Sequence, residues 1–157
     1  MVNLIGEFDC SVDAKGRLLF PAGLKKQLHP DEQVRFVVNR SVFERALIIY
    51  PMSEWDRITK QLNKLNLFKK KNDEFVRKFR NGATVVEMDS VGRILIPRKL
   101  TEFADVDKKV VLLASSTKIE LWSKDKYEEK MDADWDDFAD LAEEVMGSVG
   151  EENSDDE

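Results

Sequence analysis

VDAKGRLLFP, residues 12–21, returns 76 positions later as MDSVGRILIP, residues 88–97. At that offset Asp13 meets Asp89, Gly16 meets Gly92, Arg17 meets Arg93, Pro21 meets Pro97 and Leu24 meets Leu100. Apolar positions align as well: Cys10 with Val86, Val12 with Met88, Leu18 with Ile94, Phe20 with Ile96. The register holds through VRFVVN (34–39) against VVLLAS (110–115). There the first repeat carries four additional residues, after which LIIYPMSEW (47–55) matches IELWSKDKY (119–127). A register kept over that span with one gap marks an internal duplication, which constrains the fold before any single element does.

Each repeat has the same local grammar. Phe8, Cys10 and Val12 alternate with Asp9 and Ser11, the period of a half-buried strand. DAKG and DSVG interrupt it: Asp at the first turn position accepts backbone N–H bonds, and Gly at the fourth takes positive φ without steric cost. Alternation resumes in RLLF and RILI, which predicts a β-hairpin with Asp-x-x-Gly at its tip. Pro21 and Pro97 end the strand and suit the start of a short helix. Two more strands follow (34–38 and 46–50; 110–114 and 118–122), then a helix starting near Ser53 or Asp125.

Between the repeats, Trp55, Ile58, Leu62 and Leu65, and then Phe75, Val76 and Phe79, recur at helical spacing. Two connecting helices are predicted, the second capped near Asn72 and stopped at Asn81-Gly82. WDDFADLAEEVM, with Trp135, Phe138, Leu141 and Val145 on one face, predicts a last helix. The organisation expected is a first module over 7–54, a helical connector over 55–82, a second module over 83–127, a C-terminal helix over 128–146 and an acidic, disordered tail over 147–157. One repeat of about forty residues is too small to bury a good core. Two facing each other across a pseudo-twofold axis can close a shared β-barrel and hide their strand edges. The fold class expected is therefore α+β, mainly β.

The net charge of −6 conceals an asymmetry. Residues 125–157 carry 15 acidic and 2 basic residues, whereas 1–124 carry 23 basic and 16 acidic. A body at +7 and a tail at −13 suit an anionic ligand for the body, and equally suit ordinary surface charge beside a solubilising terminus. The tail either competes for the basic face or keeps the protein soluble. One cysteine, Cys10, allows no internal disulfide, and no apolar run reaches the roughly 20 residues that span a bilayer. No leader segment stands at the start, so a soluble, cytoplasmic protein is expected.

Asp13, Gly16, Asp89 and Gly92 are what any tight turn selects. Arg17 and Arg93 are not, because a turn has no steric need for Arg. An Asp four residues earlier can aim the guanidinium through charge-assisted hydrogen bonds, and an aimed Arg fork suits phosphate, carboxylate or the edge of guanine. Lys15 adds charge at the first tip; Ser90-Val91 shows that it is not part of the repeat. His29 is the sole histidine, which excludes a His-rich metal site and makes a catalytic triad hard to assemble. His29 reads as surface, Cys10 as a small core residue aligned with Val86, and Lys69–Lys71 either as a phosphate contact or, at least as readily, as a solvated loop or helix end. No phosphate loop, dinucleotide fingerprint or metal-ligand spacing occurs. No catalytic residue, metal, cofactor or small-molecule substrate is expected.

The doubled DxxGR(L/I)xxP with LIIYP…EW and IELW resembles the MraZ family of bacterial transcription regulators, within the AbrB/SpoVT class of swapped-hairpin DNA-binding domains. The resemblance spans about Phe8 to Tyr127. It implies two swapped-hairpin modules per chain and ring-like homo-oligomers, such as an octamer. It also implies binding to short repeats in promoter DNA ahead of the protein's own cell-division and cell-wall operon, and so a repressor associated with the nucleoid. The family's basic motif residues map onto Lys15, Arg17 and Arg93, with Asp13 and Asp89 orienting them. The sequence departs from the family pattern after the helix leucine, where the second repeat has Thr101 while the first keeps Lys25. The alternative from another class is a protein-interaction scaffold that uses the same barrel and pairs its arginines with acidic groups.

Overall fold

The structure, a computed structural model, describes residues 3–132 and 135–152. They fall into two units, one ending at Lys124 and one beginning at Asp125. The first unit holds β1 (Leu4–Ser11), β2 (Arg17–Leu19), α1 (Ala22–Lys25), β3 (Arg35–Arg40), β4 (Leu47–Pro51) and the connecting helices α2 (Met52–Leu62) and α3 (Lys70–Asn81). Then come β5 (Thr84–Glu87), β6 (Arg93–Leu95), α4 (Arg98–Phe103), β7 (Lys109–Ser116) and β8 (Lys118–Ser123). The same order of elements runs twice, as the repeat predicts.

Strand partners differ from a local hairpin. Among the described residues β1 and β2 share only the isolated bridge Val12–Leu18. β1 and β5 pair across the repeats, β1 with β7 from Leu4–Ser116 to Ser11–Lys109 and β5 with β3, whereas β3–β4 and β7–β8 pair within a repeat. The sheet order is β1-β7-β8-β4-β3-β5, with β2 and β6 forming a separate two-stranded ribbon. The ribbon lies beside β1 on one side and β5 on the other, making a barrel open along two seams. The three residues left after each turn are too few to build a ladder with their own repeat. They gain more by pairing with their twins.

Two pairings locate the pseudo-twofold axis. Leu18 faces Ile94, and Ile48 faces Glu120. Each pair joins a residue to its own repeat equivalent, and two antiparallel equivalents can face each other only on a twofold axis. Around it every strand contributes to one buried cluster, including Leu18, Phe36, Leu47, Ile49, Ile94 and Leu112. A single repeat could not enclose these side chains, which is the physical reason for the duplication.

On the outer face of β3 and β4, Val37, Ile48 and Tyr50 are covered by Trp55 and Ile58 of α2. Trp55 stacks on Phe79 of α3 with ring centroids 5.9 Å apart. Buried Asn39 ties α3 down: its Nδ2 donates to the Phe79 carbonyl at 2.8 Å, and its Oδ1 accepts the Arg40 N–H at 2.8 Å. α3 begins at Lys70, two residues before the cap expected at Asn72, and stops at Asn81 with Gly82 beyond it. Lys69 is its cap residue, so the lysine run lies at a helix start.

In the C-terminal region α5 (Lys124–Met131) is followed by α6 (Trp135–Glu152). Trp135, Phe138, Leu141 and Val145 are all exposed. α6 runs six residues past the end expected at 146, because Gly147 and Gly150 lower helix propensity without stopping a helix already propagating. The rest of the acidic tail, 153–157, lies outside the described residues. Among the described residues no helix is long and apolar enough to cross a membrane.

Candidate nucleic-acid interface

The two turn tips are built alike. Asp13 Oδ1 accepts the N–H groups of Lys15 (3.0 Å) and Arg17 (2.9 Å), and its Oδ2 accepts the Arg17 Nε–H at 2.7 Å. Asp89 Oδ1 accepts from Val91 and Arg93, both at 2.9 Å, and its Oδ2 from Arg93 Nε at 2.9 Å. The backbone N–H of Arg17 is the largest influence holding the Asp13 carboxyl below its usual 3.8, with the guanidinium and the Lys15 N–H adding to it. Asp89 is lowered in the same way, first by the Arg93 N–H. Each aspartate thus closes the turn with one oxygen and aims an arginine with the other. The Nε–H is used, and the terminal NH2 edge stays available for a paired acceptor.

Gly16 and Gly92 take φ +88° and +92°. Each tip is also tied to the opposite repeat, since Ile96 N–H donates to the Gly16 carbonyl (2.8 Å) and Phe20 N–H to the Gly92 carbonyl (3.0 Å). The tips are therefore interlocked, and the ribbon between them is held at both ends.

The ribbon register sets what faces outward. Arg17 lies opposite Leu95, Leu18 opposite Ile94, and Leu19 opposite Arg93. Leu18 and Ile94 are fully buried, so their neighbours Arg17, Leu19, Arg93 and Leu95 project from the other face. Diagonal neighbours on one face of an antiparallel pair are roughly 7–8 Å apart, and Arg17 and Arg93 occupy one such diagonal. Lys15 is exposed at the first tip and lines an open cleft of ≈ 740 Å3 with Arg98, Thr101 and Glu102. A cleft at the second tip is lined by Val91, Gly92, Leu19 and Lys25. Arg98, in a salt bridge with Glu102 at 2.9 Å, escaped the sequence reading because it falls where the first repeat has Ala22. Leu19 and Leu95 escaped it too; the available signal was an apolar residue at the outward position of an alternating strand, written twice.

Of the remaining candidates, Cys10 borders the cleft at the second tip, and His29 lies by a different cleft. Cys10 packs against the core, and burial pushes its thiol up to about 11, with Asp9 adding to the rise, so it is a poor nucleophile. His29 is exposed before the short 3-10 turn Pro30–Glu32. Among the described residues no three His, Cys, Asp or Glu side chains group as a metal site.

A family model described as "MraZ protein, putative antitoxin-like" matches the chain twice, over residues 4–78 and 79–147. A protein of Christiangramia forsetii named "Transcriptional regulator MraZ" is 53% identical over 148 residues, 94% of this chain and 96% of that one. One of the same name from Flavobacterium psychrophilum is 49% identical over 152 residues, 97% of each chain. Another, from Cytophaga hutchinsonii, is 37% identical over 147 residues, 94% of this chain and 97% of that one. With the doubled motif, the interlocked tips and matches covering nearly its full length, this chain belongs to the MraZ family.

Proposed function

We propose that the protein is a transcription regulator that binds double-stranded DNA through the outward face of the β2–β6 ribbon. The observation that carries this reading is the pair of arginines, each braced by an aspartate, on one outward face of a ribbon held at both ends. The major groove of B-DNA, about 12 Å wide, admits a two-stranded ribbon, and an Arg fork there fits guanine O6 and N7. Lys15, and Lys25 and Arg98 around the clefts, serve the phosphates, which position a protein without reading sequence. The regulator names of the relatives support the same conclusion. No reaction is assigned to the site.

One such face makes few contacts and binds weakly. A ring of several chains on tandem repeats turns weak contacts into a tight complex through effective concentration, if the repeat spacing matches the subunit spacing. In this reading the protein is a repressor of its own operon, acts in the cytoplasm on the nucleoid, and works as a homo-oligomeric ring.

The test is a titration of the full chain with a duplex from its own upstream region and with a scrambled duplex, at two salt concentrations. Ten-fold or greater preference, about 1.4 kcal/mol, is expected. It should be lost in Arg17→Ala/Arg93→Ala with the oligomer size unchanged. Equal, weak, salt-labile binding to both duplexes refutes sequence reading and moves the protein-interaction scaffold to the front.

A further inference from the structure

Resting on that reading, we infer that Leu19 and Leu95 form a methyl-reading pair, contacting the 5-methyl groups of thymines beside the bases that Arg17 and Arg93 address. Both leucines stand outward on the ribbon, 58% and 55% exposed, on the face that carries the arginines. A lone exposed leucine is unremarkable. These two are equivalent positions of a duplication whose neighbouring outward sites have diverged: Lys15 against Val91, Ala22 against Arg98. Where a soluble ribbon would present polar residues, both repeats keep leucine.

The register makes the placement specific. Phe20 N–H to Gly92 O and Ile96 N–H to Gly16 O mark hydrogen-bonded pairs at the ribbon ends. By alternation, Arg17–Leu95 and Leu19–Arg93 are the non-hydrogen-bonded pairs, whose side chains approach more closely. Each leucine therefore stands beside an arginine, and the twofold axis through Leu18 and Ile94 repeats the arrangement. The leucines are also positioned by the tips: a Cβ at Gly16 would lie 3.7 Å from Leu95 Cδ1, and one at Gly92 4.0 Å from Leu19 Cδ1. In the major groove the only apolar group on a base edge is the thymine methyl, so apolar side chains beside a guanine-reading fork fit that group and no other base feature. Val91 extends the apolar surface at the second tip where the first has Lys15, so the two halves of the site are unequal.

The experiment replaces thymine by deoxyuridine in the upstream duplex, removing methyl groups and nothing else, and titrates the wild-type chain and Leu19→Ala/Leu95→Ala. The wild type should lose about three- to five-fold per contacted methyl, the size expected for one methyl-sized apolar contact. The loss should be the same at both salt concentrations, unlike the arginine contribution. The leucine variant should bind the natural duplex as weakly as the wild type binds the deoxyuridine duplex, and show no further loss on the latter. If the wild type prefers its duplex over a scrambled one but ignores deoxyuridine, the methyl inference is overturned while DNA binding stands. Full methyl discrimination retained by the variant overturns it as well. An altered oligomer size in the variant would assign the leucines to a contact between subunits and overturn it too. If the wild type shows no duplex preference, the DNA-binding reading falls, and this inference with it.

Discussion

Replacing Gly16 or Gly92 by alanine tests the interlocked tips directly, because the two sites share a conformation and differ only in surroundings. With φ of +88° and +92°, alanine takes a similar backbone penalty at either, about 1–2 kcal/mol. Space separates them. At position 16 the new Cβ would lie 2.8 Å from the Ile96 carbonyl oxygen, whereas at 92 nothing lies nearer than Leu19 Cδ1 at 4.0 Å. A carbonyl in the ribbon cannot rotate away, so the strand end must move and the Ile96 N–H to Gly16 O bond weakens, at about 0.5–1.5 kcal/mol. Gly92→Ala should lose about 1–2 kcal/mol and Gly16→Ala about 1.5–3.5 kcal/mol. Denaturant unfolding of the full chain at fixed protein concentration measures both, with an unchanged m value as the check that only stability moved. Equal losses, or a larger loss at Gly92, would refute the claim that the first tip is held by the second repeat.

Two further outcomes follow from the same contacts. Asn39→Ala removes the donor to the Phe79 carbonyl and the acceptor for the Arg40 N–H, and should cost about 1–3 kcal/mol in denaturant unfolding; a loss below about 0.5 kcal/mol would mean that α3 is held by its aromatic contacts alone. Because the folded-state pKa values of Asp13 and Asp89 are depressed, their brace is complete above 3.8 and is lost as pH falls through the lower folded values. The Arg17 and Arg93 amide NMR signals should therefore titrate with midpoints below 3.8; midpoints at or above 3.8 would contradict the brace.

The duplication was legible in residues alone, and with it much of the architecture. Asp, Gly and Arg at fixed spacing report local chemistry: a carboxylate closes a turn within four residues, and Gly supplies the positive φ, whatever the rest of the chain does. The same locality explains why the Asp13–Arg17 and Asp89–Arg93 pairs could be anticipated. Helix existence was equally legible, but ends were not. α3 starts before its apparent cap and α6 runs through two glycines, since an end is the balance of small terms of order 1 kcal/mol.

Strand partnership was beyond any local signal. Alternation says which side chains of β2 and β6 are buried, and it would say the same for a hairpin closed within one repeat. Whether a three-residue strand pairs with its neighbour or its twin depends on the burial that distant segments offer, and that is settled only when both repeats meet around one core. The pairing of Arg17 with Leu95 and of Leu19 with Arg93 follows from that choice. The sequence by itself determined the two braced arginines. The tertiary structure decided that they share one outward face, each opposite a leucine of the other strand, because facing and register are properties of two strands, and no stretch of one strand contains them.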